Sequence, residues 1–330
     1  MIGITLGDPG GIGPEVIAKT LRRLQNPLRF YPVLFGVPEV FEALKKKLHL
    51  RLISGIDFFD ISGRARQLYS KHSPLPLREK GRGRDGFHFI PRRVALSNAC
   101  MAYASMEAAV KFAAEGKLQA VVTAPVNKTA MRLVEPGFHG HTEYLARISG
   151  SRKFAMMFVS PRLKVTLATI HVPVHNVSRL IRKELVFEKI KLTHDFLKKW
   201  FRISSPRLAV CALNPHGKET GKEDEAQIRP AVLRARRAGI HAEGPLPGDQ
   251  VFHEAYHGRF DAVVSMYHDQ GLAPFKMIAF RDGVNVTLGL PFIRTSPDHG
   301  TAYDIAWKGK ADPVSFESAL NLAVQLCRHK

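Results

Sequence analysis

Asp261–Ala306, DAVVSMYHDQGLAPFKMIAFRDGVNVTLGLPFIRTSPDHGTAYDIA, carries the decisive reading of this chain. Two apolar runs within it, DAVVSMY and VNVTLGL, read as strands, and polar groups crowd behind each. His268, Asp269 and Gln270 follow the first run, and Lys276 comes a few residues on. Asn285, Arg294, Asp298, His299 and Asp304 follow. A stretch that only packs needs few donors and charges beside so much apolar surface. In open parallel sheets, ligands sit beyond the carboxyl ends of the strands. The stretch therefore predicts half of an active site.

The same alternation extends in both directions. At the start, GITLG leads through DPGGIG into PEVIAKTLRRL, a strand, a glycine turn and a helix. Pro14 suits the first helical position, Glu15 the positive helix start, and Ile17, Leu21 and Leu24 share a face. No Gly-Lys-Ser/Thr follows, so the turn is not a Walker loop, and it fits G-x-G-x-x-G poorly. Taken alone, its glycines imply a tight strand-to-helix turn. YPVLFG reads as a strand and PEVFEALKKKL as a helix. Residues 54 to 90 give no clear pattern, and Lys71 to Gly86, rich in Pro, Gly and Arg, predicts a surface loop. A helix is expected from about Asn98 to Ala114, then a strand running into a polar turn at AVVTAPVNK.

In FHGHTEYLARISG, Thr142 is expected to cap a short helix with Glu143 in its first turn, an end that favours an anion such as phosphate. FAMMFV and KVTLATI are joined only by SPRL, too short for a crossover, so an antiparallel hairpin is expected. Helices are expected at about Val177 to Arg182 and Glu184 to Trp200, and RLAVCAL as a strand ending in NPHGKETG. A last helix begins after Asp312-Pro313 and turns Phe316, Ala319, Leu320, Ala323 and Leu326 inward. Strands alternating with helices throughout define the α/β class.

With 330 residues, 45% of them hydrophobic, the chain can build a sizeable core in one large or two medium domains. No apolar run reaches the ~20 residues that cross a bilayer. MIGITLGDPG lacks the basic start and apolar middle of a signal peptide. Cys100, Cys211 and Cys327 lie far apart without metal spacing, so a reduced cytoplasmic setting is expected. Net charge is +20, which implies either an anionic partner or a generally basic surface. The charges are scattered, no block reaches five, and no aromatics interleave with them. Neither nucleic acid nor membrane is expected as a partner.

His171 follows KVTLATI, His216 follows RLAVCAL after Asn214-Pro215, and His268 follows DAVVSMY. Neutral imidazoles converging from three strand ends make a site for Zn²⁺ or a similar divalent ion, with a position left open for substrate. The competing reading is coincidence among 15 histidines. Lys276, Asn285 and Arg294 form a second set suited to clamping a phosphate, against the alternative of ordinary surface charge.

GDPGGIGPEV, TAPVNK, GHTEYLA, LNPHG, GPLPGD, MYHDQGLAPFK and VNVTLGLPFIRTSPDHGTAYDIA follow one another along the chain. Together they closely resemble the 4-hydroxythreonine-4-phosphate dehydrogenase (PdxA) family of the pyridoxal phosphate pathway, from Gly3 to the last helix. GDPGGIGPEV and HGTAYDIAWKGKADP also resemble segments of isopropylmalate dehydrogenase, a more distant relative. The resemblance implies two α/β/α domains of the isocitrate/isopropylmalate dehydrogenase-like type, with the active site in the cleft near a homodimer interface. Residues 1–135 plus 280–330 would form the cofactor side, and 136–279 the substrate, metal and dimerisation side. It implies metal ligands at His171, His216 and His268, the ion being Zn, Mg or Co. Substrate contacts are implied at His141, Thr142, Lys276, Asn285, Arg294 and Asp249. Lys276 is the catalytic candidate, as acid/base or as phosphate ligand.

Gly11 and the loop His299, Gly300, Thr301, Asp304 are implied to hold the cofactor. A carboxylate at Asp304 favours NAD over NADP, because a 2′-phosphate would be repelled. The segment HGKETGKEDEAQ is a few residues shorter than the family pattern, and the basic stretch Arg78 to Arg84 has no family role. The implied reaction is oxidation of a phosphorylated hydroxy acid at C3, then loss of CO₂. Related family members act on 4-phospho-threonate, 4-phospho-erythronate or diols. A metal-dependent hydrolase would use the histidines without a nucleotide, and an RNA-binding protein would rest on charge alone.

Overall fold

The computed structural model describes residues 1–24, 30–52, 56–73, 87–216 and 220–328. The basic stretch Arg78 to Arg84, and most of the Lys71 to Gly86 loop expected around it, lie outside the described residues. The chain divides into two compact units, Met1–Gly150 with Pro291–Gln325, and Ser151–Leu290 with Leu326–Lys330. The sequence reading set its divisions at 135 and 279, which assigned His141 and Thr142 to the other half.

Unit 1 begins with β1 (Ile2–Thr5), α1 (Gly13–Arg23), β2 (Pro32–Gly36), α2 (Pro38–Leu48), β3 (Asp57–Asp60) and α3 (Ser62–His72). It continues with α4 (Leu96–Ala114), β4 (Ala120–Thr123), α5 (Lys128–Arg132) and α6 (His141–Ile148). Unit 2 runs β5 (Ala155–Val159), β6 (Lys164–Leu167), α7 (Val174–Leu180), α8 (Lys183–Trp200) and β7 (Arg207–Cys211). A π-helical turn at Asp224–Ile228 leads into α9 (Arg229–Arg237), β8 (His241–Leu246), α10 (Gly248–Tyr256), β9 (Ala262–Ser265), α11 (His268–Ala279) and β10 (Val284–Leu288). The chain returns to unit 1 with β11 (Ile293–Pro297) and then α12 (Val314–Arg328).

Unit 1's strands lie in the order β3-β2-β1-β4-β11, with each pair parallel. From β1 the chain steps outward to β2 and β3, then resumes on the other flank with β4. The sequence direction therefore reverses between β1 and β4, the switch point at which open α/β sheets bind ligands. The core of this half is read off the burial of Ile2, Ile4, Leu34, Val121, Val122 and Ile293. Phe316, Ala319, Leu320, Ala323 and Leu326 of α12 are buried as their spacing predicts. Asp312 accepts the N–H of Val314 at 3.1 Å, which anchors that helix start.

Unit 2's strands lie in the order β10-β5-β6-β9-β7-β8. The expected hairpin is present: β5 and β6 pair antiparallel, with Met157 opposite Thr166. Beyond it, β6, β9 and β7 are parallel neighbours. Met156, Phe158, Val165, Leu167, Ala209, Val263 and Phe275 form part of one buried cluster.

Several bounds differ from the sequence reading. The strand after SPRL stops at Leu167, three residues short of Ile170, and the short helix that follows starts at Val174, not Val177. The polar residues behind DAVVSMY lie on a helix, α11, with Pro274 inside it. Thr142 does not cap α6. Gly140 holds the cap position without a side-chain bond, and Thr142 is buried within the helix. The physical reason is that the helix already begins at His141, two residues earlier than a Thr142 cap requires.

Candidate active site

In unit 1, β1, β4 and β11 are adjacent and parallel, so the turns after them gather at one edge. The Asp8 N–H, just past β1, donates to Pro125 O, just past β4, at 2.9 Å. Below this edge sits Arg294, the second residue of β11, only 2% exposed. Its Nε and Nη2 both donate to Thr123 Oγ1 at the end of β4, at 3.1 and 2.7 Å. Burial pulls the guanidinium down to about 9, opposed by Glu143, so it remains a cation at neutral pH. A buried cation is costly, and an arriving anion offsets that cost.

His141 starts α6 and is packed edge-on against Phe138, with ring centroids 6.3 Å apart. Its Nε2 is buried with no hydrogen-bond partner among the described residues. Burial, with the charges of Arg294 and Lys128, holds its pKa well below 6.5, so the ring is neutral at pH 7. Lys128 and Glu143 close over Gly140, where an added Cβ would lie 2.8 Å from Glu143 Oε2 and 3.6 Å from Lys128 Cε. The structure thus gathers His141, Thr142 and Arg294 from the sequence candidates and adds Thr123, Lys128 and Glu143. The TAPVNK turn contained two of the missed residues, and Thr123 was hidden because its side chain is defined by a neighbouring strand.

The cofactor candidates of unit 1 form a second group. An added Cβ on Gly11 would lie 2.8 Å from Thr301 O, so only glycine permits this approach. The Ile12 N–H donates to that same oxygen at 2.9 Å. His299 has Nδ1 3.0 Å from Gly300 O, while its Nε2 is buried and unpartnered among the described residues. Gly300 and Asp304 are exposed on the loop surface. An orphaned buried nitrogen beside exposed backbone and a carboxylate fits a loop that receives a polar nucleotide.

In unit 2, the adjacency of β6 and β9 explains why His171 and His268 meet, with ring centroids 5.9 Å apart. His268 Nδ1 lies 2.7 Å from Asp269 Oδ1, which leaves Nε2 available as a donor to a metal. His216 stands exposed five residues beyond β7, in the left-handed region at φ 56°. No group of three or more His, Cys, Asp or Glu side chains is placed to hold a metal among the described residues. His171 and His268 thus lie close together, and no third such side chain completes a metal-holding group with them among the described residues.

The segment behind His216 is held by an acidic pair the sequence reading left unassigned. Asp224 is buried and accepts the N–H groups of Leu213 and Asn214 at 2.7 and 3.1 Å. Glu223 accepts from Ser178 Oγ at 2.6 Å and Asn214 Nδ2 at 3.1 Å, and these bonds hold its carboxyl below the usual range. Lys276 is half-buried on α11, its Nζ 5.8 Å from the Phe280 ring centroid. Asn285 faces Phe158 in the β10–β5 register, and its Oδ1 is buried without a partner among the described residues. Asp249 is exposed in the first turn of α10.

An α/β fold with a buried arginine at the strand ends of unit 1 defines a class of α/β proteins able to receive an anion. Comparison with known proteins narrows this class. Residues 31–323 match the family model described as pyridoxal phosphate biosynthetic protein PdxA. The chain is 43% identical over 329 residues to a 4-hydroxythreonine-4-phosphate dehydrogenase of Desulforapulum autotrophicum, covering 98% of this chain and 94% of that one. It is 39% identical over 345 residues to an Oceanobacillus iheyensis protein provisionally named D-threonate 4-phosphate dehydrogenase, covering 100% and 98%. The crystal structure of the Klebsiella pneumoniae 4-hydroxythreonine-4-phosphate dehydrogenase superposes with a TM-score of 0.82 at 33% identity, over 99% of each chain. The chain belongs to the PdxA family and is an oxidoreductase of the α/β class.

Proposed function

We propose that this protein oxidises 4-phosphohydroxy-L-threonine at C3 with NAD⁺ and a divalent metal. The product is a β-keto acid that loses CO₂ to give 3-amino-2-oxopropyl phosphate, in pyridoxal 5′-phosphate biosynthesis. The carrying observation is the buried Arg294, held by Thr123 beside the neutral His141 with its open Nε2. NADP is the alternative nucleotide, and Zn, Mg or Co the candidate ions.

Arg294 and the α6 amides bind the phosphate, with Lys128 adding charge at the rim. His141 stays neutral, and its Nε2 hydrogen-bonds the substrate without adding charge repulsion to Arg294. Thr142 lines the same helix start. Asn285 offers its unpartnered Oδ1 as an acceptor, suited to an ammonium or hydroxyl. Lys276 holds or moves the proton of the C3 hydroxyl, or holds the phosphate. The loop His299–Asp304 with Gly11 would bind the nucleotide, which takes the hydride. His171 and His268, with His216 as the proposed third ligand, would hold a divalent ion, whose chemistry there would be to ease loss of the alcohol proton and to polarise a carbonyl.

A homodimer is proposed at the C-terminal end of α11, where Met277 is 89% exposed and Phe280, just past the helix, 78%. Adjacent exposed large apolar side chains are unusual on a free surface. No helix among the described residues is long and apolar enough to cross a membrane. A cytoplasmic setting is proposed on this and on the free cysteines.

The test is NADH absorbance on mixing protein, NAD⁺ and 4-phosphohydroxy-L-threonine, with and without a chelator. NADH formation that the chelator abolishes is the expected result. Metal-replete protein that forms no NADH refutes this substrate. The name of the Oceanobacillus relative favours one second reading, a D-threonate 4-phosphate substrate, and turnover of that compound alone would establish it.

A further inference from the structure

We propose that Asp8 and Tyr303 are positioning residues for the nucleotide: their hydrogen bond fixes the loop His299–Asp304 in its receiving shape. This inference rests on the cofactor reading of that loop. Asp8 is 1% exposed and lies three residues past the end of β1. Its Oδ1 accepts the Gly10 N–H at 2.8 Å, and its carbonyl accepts the Gly11 N–H at 3.0 Å. The Tyr303 hydroxyl donates to the other carboxylate oxygen, Oδ2. Both oxygens are thus used, one to shape the glycine turn and one to hold the loop.

Three further straps join the same two segments. Ile12 N–H donates to Thr301 O at 2.9 Å, and Trp307 Nε1 donates to Pro9 O at 2.8 Å. Arg92 bridges both sides, its N–H donating to Gly10 O at 2.7 Å and its Nε to Tyr303 O at 3.3 Å. Ala302 and Trp307 hold left-handed backbone, at φ 42° and 61°, which non-glycine residues keep only where their surroundings impose it. The strapped loop leaves one buried nitrogen open, His299 Nε2. A loop held this firmly, with one polar atom unspent, is preorganised for a ligand rather than merely packed. Burying a carboxyl costs free energy and raises its pKa. An asparagine would keep the Gly10 bond but put an N–H where Oδ2 accepts, so the Tyr303 hydroxyl could no longer donate there and would have to turn to accept a weaker, uncharged bond.

The test uses the full chain with Tyr303→Phe, and Asp8→Asn as the second variant. NAD⁺ binding is measured by titration calorimetry without substrate, and amide hydrogen exchange of the loop by mass spectrometry without NAD⁺. We expect NAD⁺ binding about tenfold weaker in Tyr303→Phe, the scale of one lost hydrogen bond to a charged group. KM for NAD⁺ should rise in parallel while kcat at saturating NAD⁺ holds within about twofold. Exchange of the Ile12 amide and of residues 299–304 should accelerate. Asp8→Asn should weaken binding in the same direction and carries the test if Tyr303→Phe does not fold. Wild-type protein that binds NAD⁺, with both variants binding it equally well and exchanging no faster, overturns the positioning role alone. Wild-type protein that binds no NAD⁺ overturns the cofactor reading and this proposal with it.

Discussion

Thr123→Val isolates what holds Arg294. Valine matches threonine in shape but removes Oγ1, the acceptor of two guanidinium N–H groups at 3.1 and 2.7 Å. Thr123 is fully buried, so no bulk water replaces the lost acceptor. Hydrogen bonds to a charged group contribute about 1.5–3 kcal/mol each. Two bonds sharing one oxygen, one of them long, put the total near ~2 kcal/mol. The cost falls in one of two places. If Arg294 keeps its position, the unfolding midpoint drops by about 4–8 °C, at roughly 2–4 °C per kcal/mol. If Arg294 shifts to find another acceptor, stability is kept and KM for the phosphorylated substrate rises ~30-fold. Thermal unfolding by circular dichroism and steady-state NADH kinetics read the two separately. Thr123→Ser keeps the acceptor, so KM should stay near wild type while the lost methyl costs about 1 kcal/mol of stability. A Thr123→Val protein with both midpoint and KM unchanged would refute the claim that this hydroxyl anchors the guanidinium.

Acid should expose His141: its folded pKa is depressed well below 6.5, so the unfolded chain takes up the proton first and stability falls as pH drops below 6.5. Urea unfolding between about pH 7.5 and 5 should show that slope in wild type and a shallower one in His141→Asn. Gly11→Ala forces a Cβ to within 2.8 Å of Thr301 O, and should cost about 1–3 kcal/mol as overpacking does, with weaker NAD⁺ binding by calorimetry. Met277→Ser with Phe280→Ser should move the protein towards monomer in sedimentation velocity, and an unchanged dimer would place the contact elsewhere. Lys276→Ala should change kcat or KM, and kinetics equal to wild type would remove Lys276 from the site.

Elements whose pattern was local were legible from the chain. The run from Leu96 to Ala114 has neither Gly nor Pro, and the four-residue SPRL link leaves β5 and β6 no choice but to run antiparallel. β3 and α3 were not legible. β3 is Asp-Phe-Phe-Asp on a sheet edge, and α3 buries only Ala65 and Leu68, so neither shows a strong apolar period. In the site, Arg294 stood out by residue type and setting, and His141 only through the family resemblance. Thr123, Asp8 and Tyr303 did not, because each acts through a partner far away in sequence: Arg294 for Thr123, and one another for Asp8 and Tyr303. A hydroxyl beside an apolar strand carries no signal until its neighbour strand is known. His216 shows the opposite limit, since its position beyond a parallel neighbour of β9 was foreseeable, while no group of three such side chains is placed to hold a metal among the described residues.

The return of the chain to unit 1 has a consequence for synthesis on the ribosome. β4 acquires its outer partner, β11, only when residues 293–297 are made, and α12 follows later still. Until then a nascent chain of the first 150 residues exposes the unpaired backbone of β4 and the apolar surface that α12 will cover. An exposed parallel strand edge is a template for pairing with another chain. The interval lasts for the roughly 140 residues of unit 2, or about 7–28 s at ~5–20 residues per second. A stalled or truncated product ending before β11 should therefore aggregate rather than accumulate as a folded half.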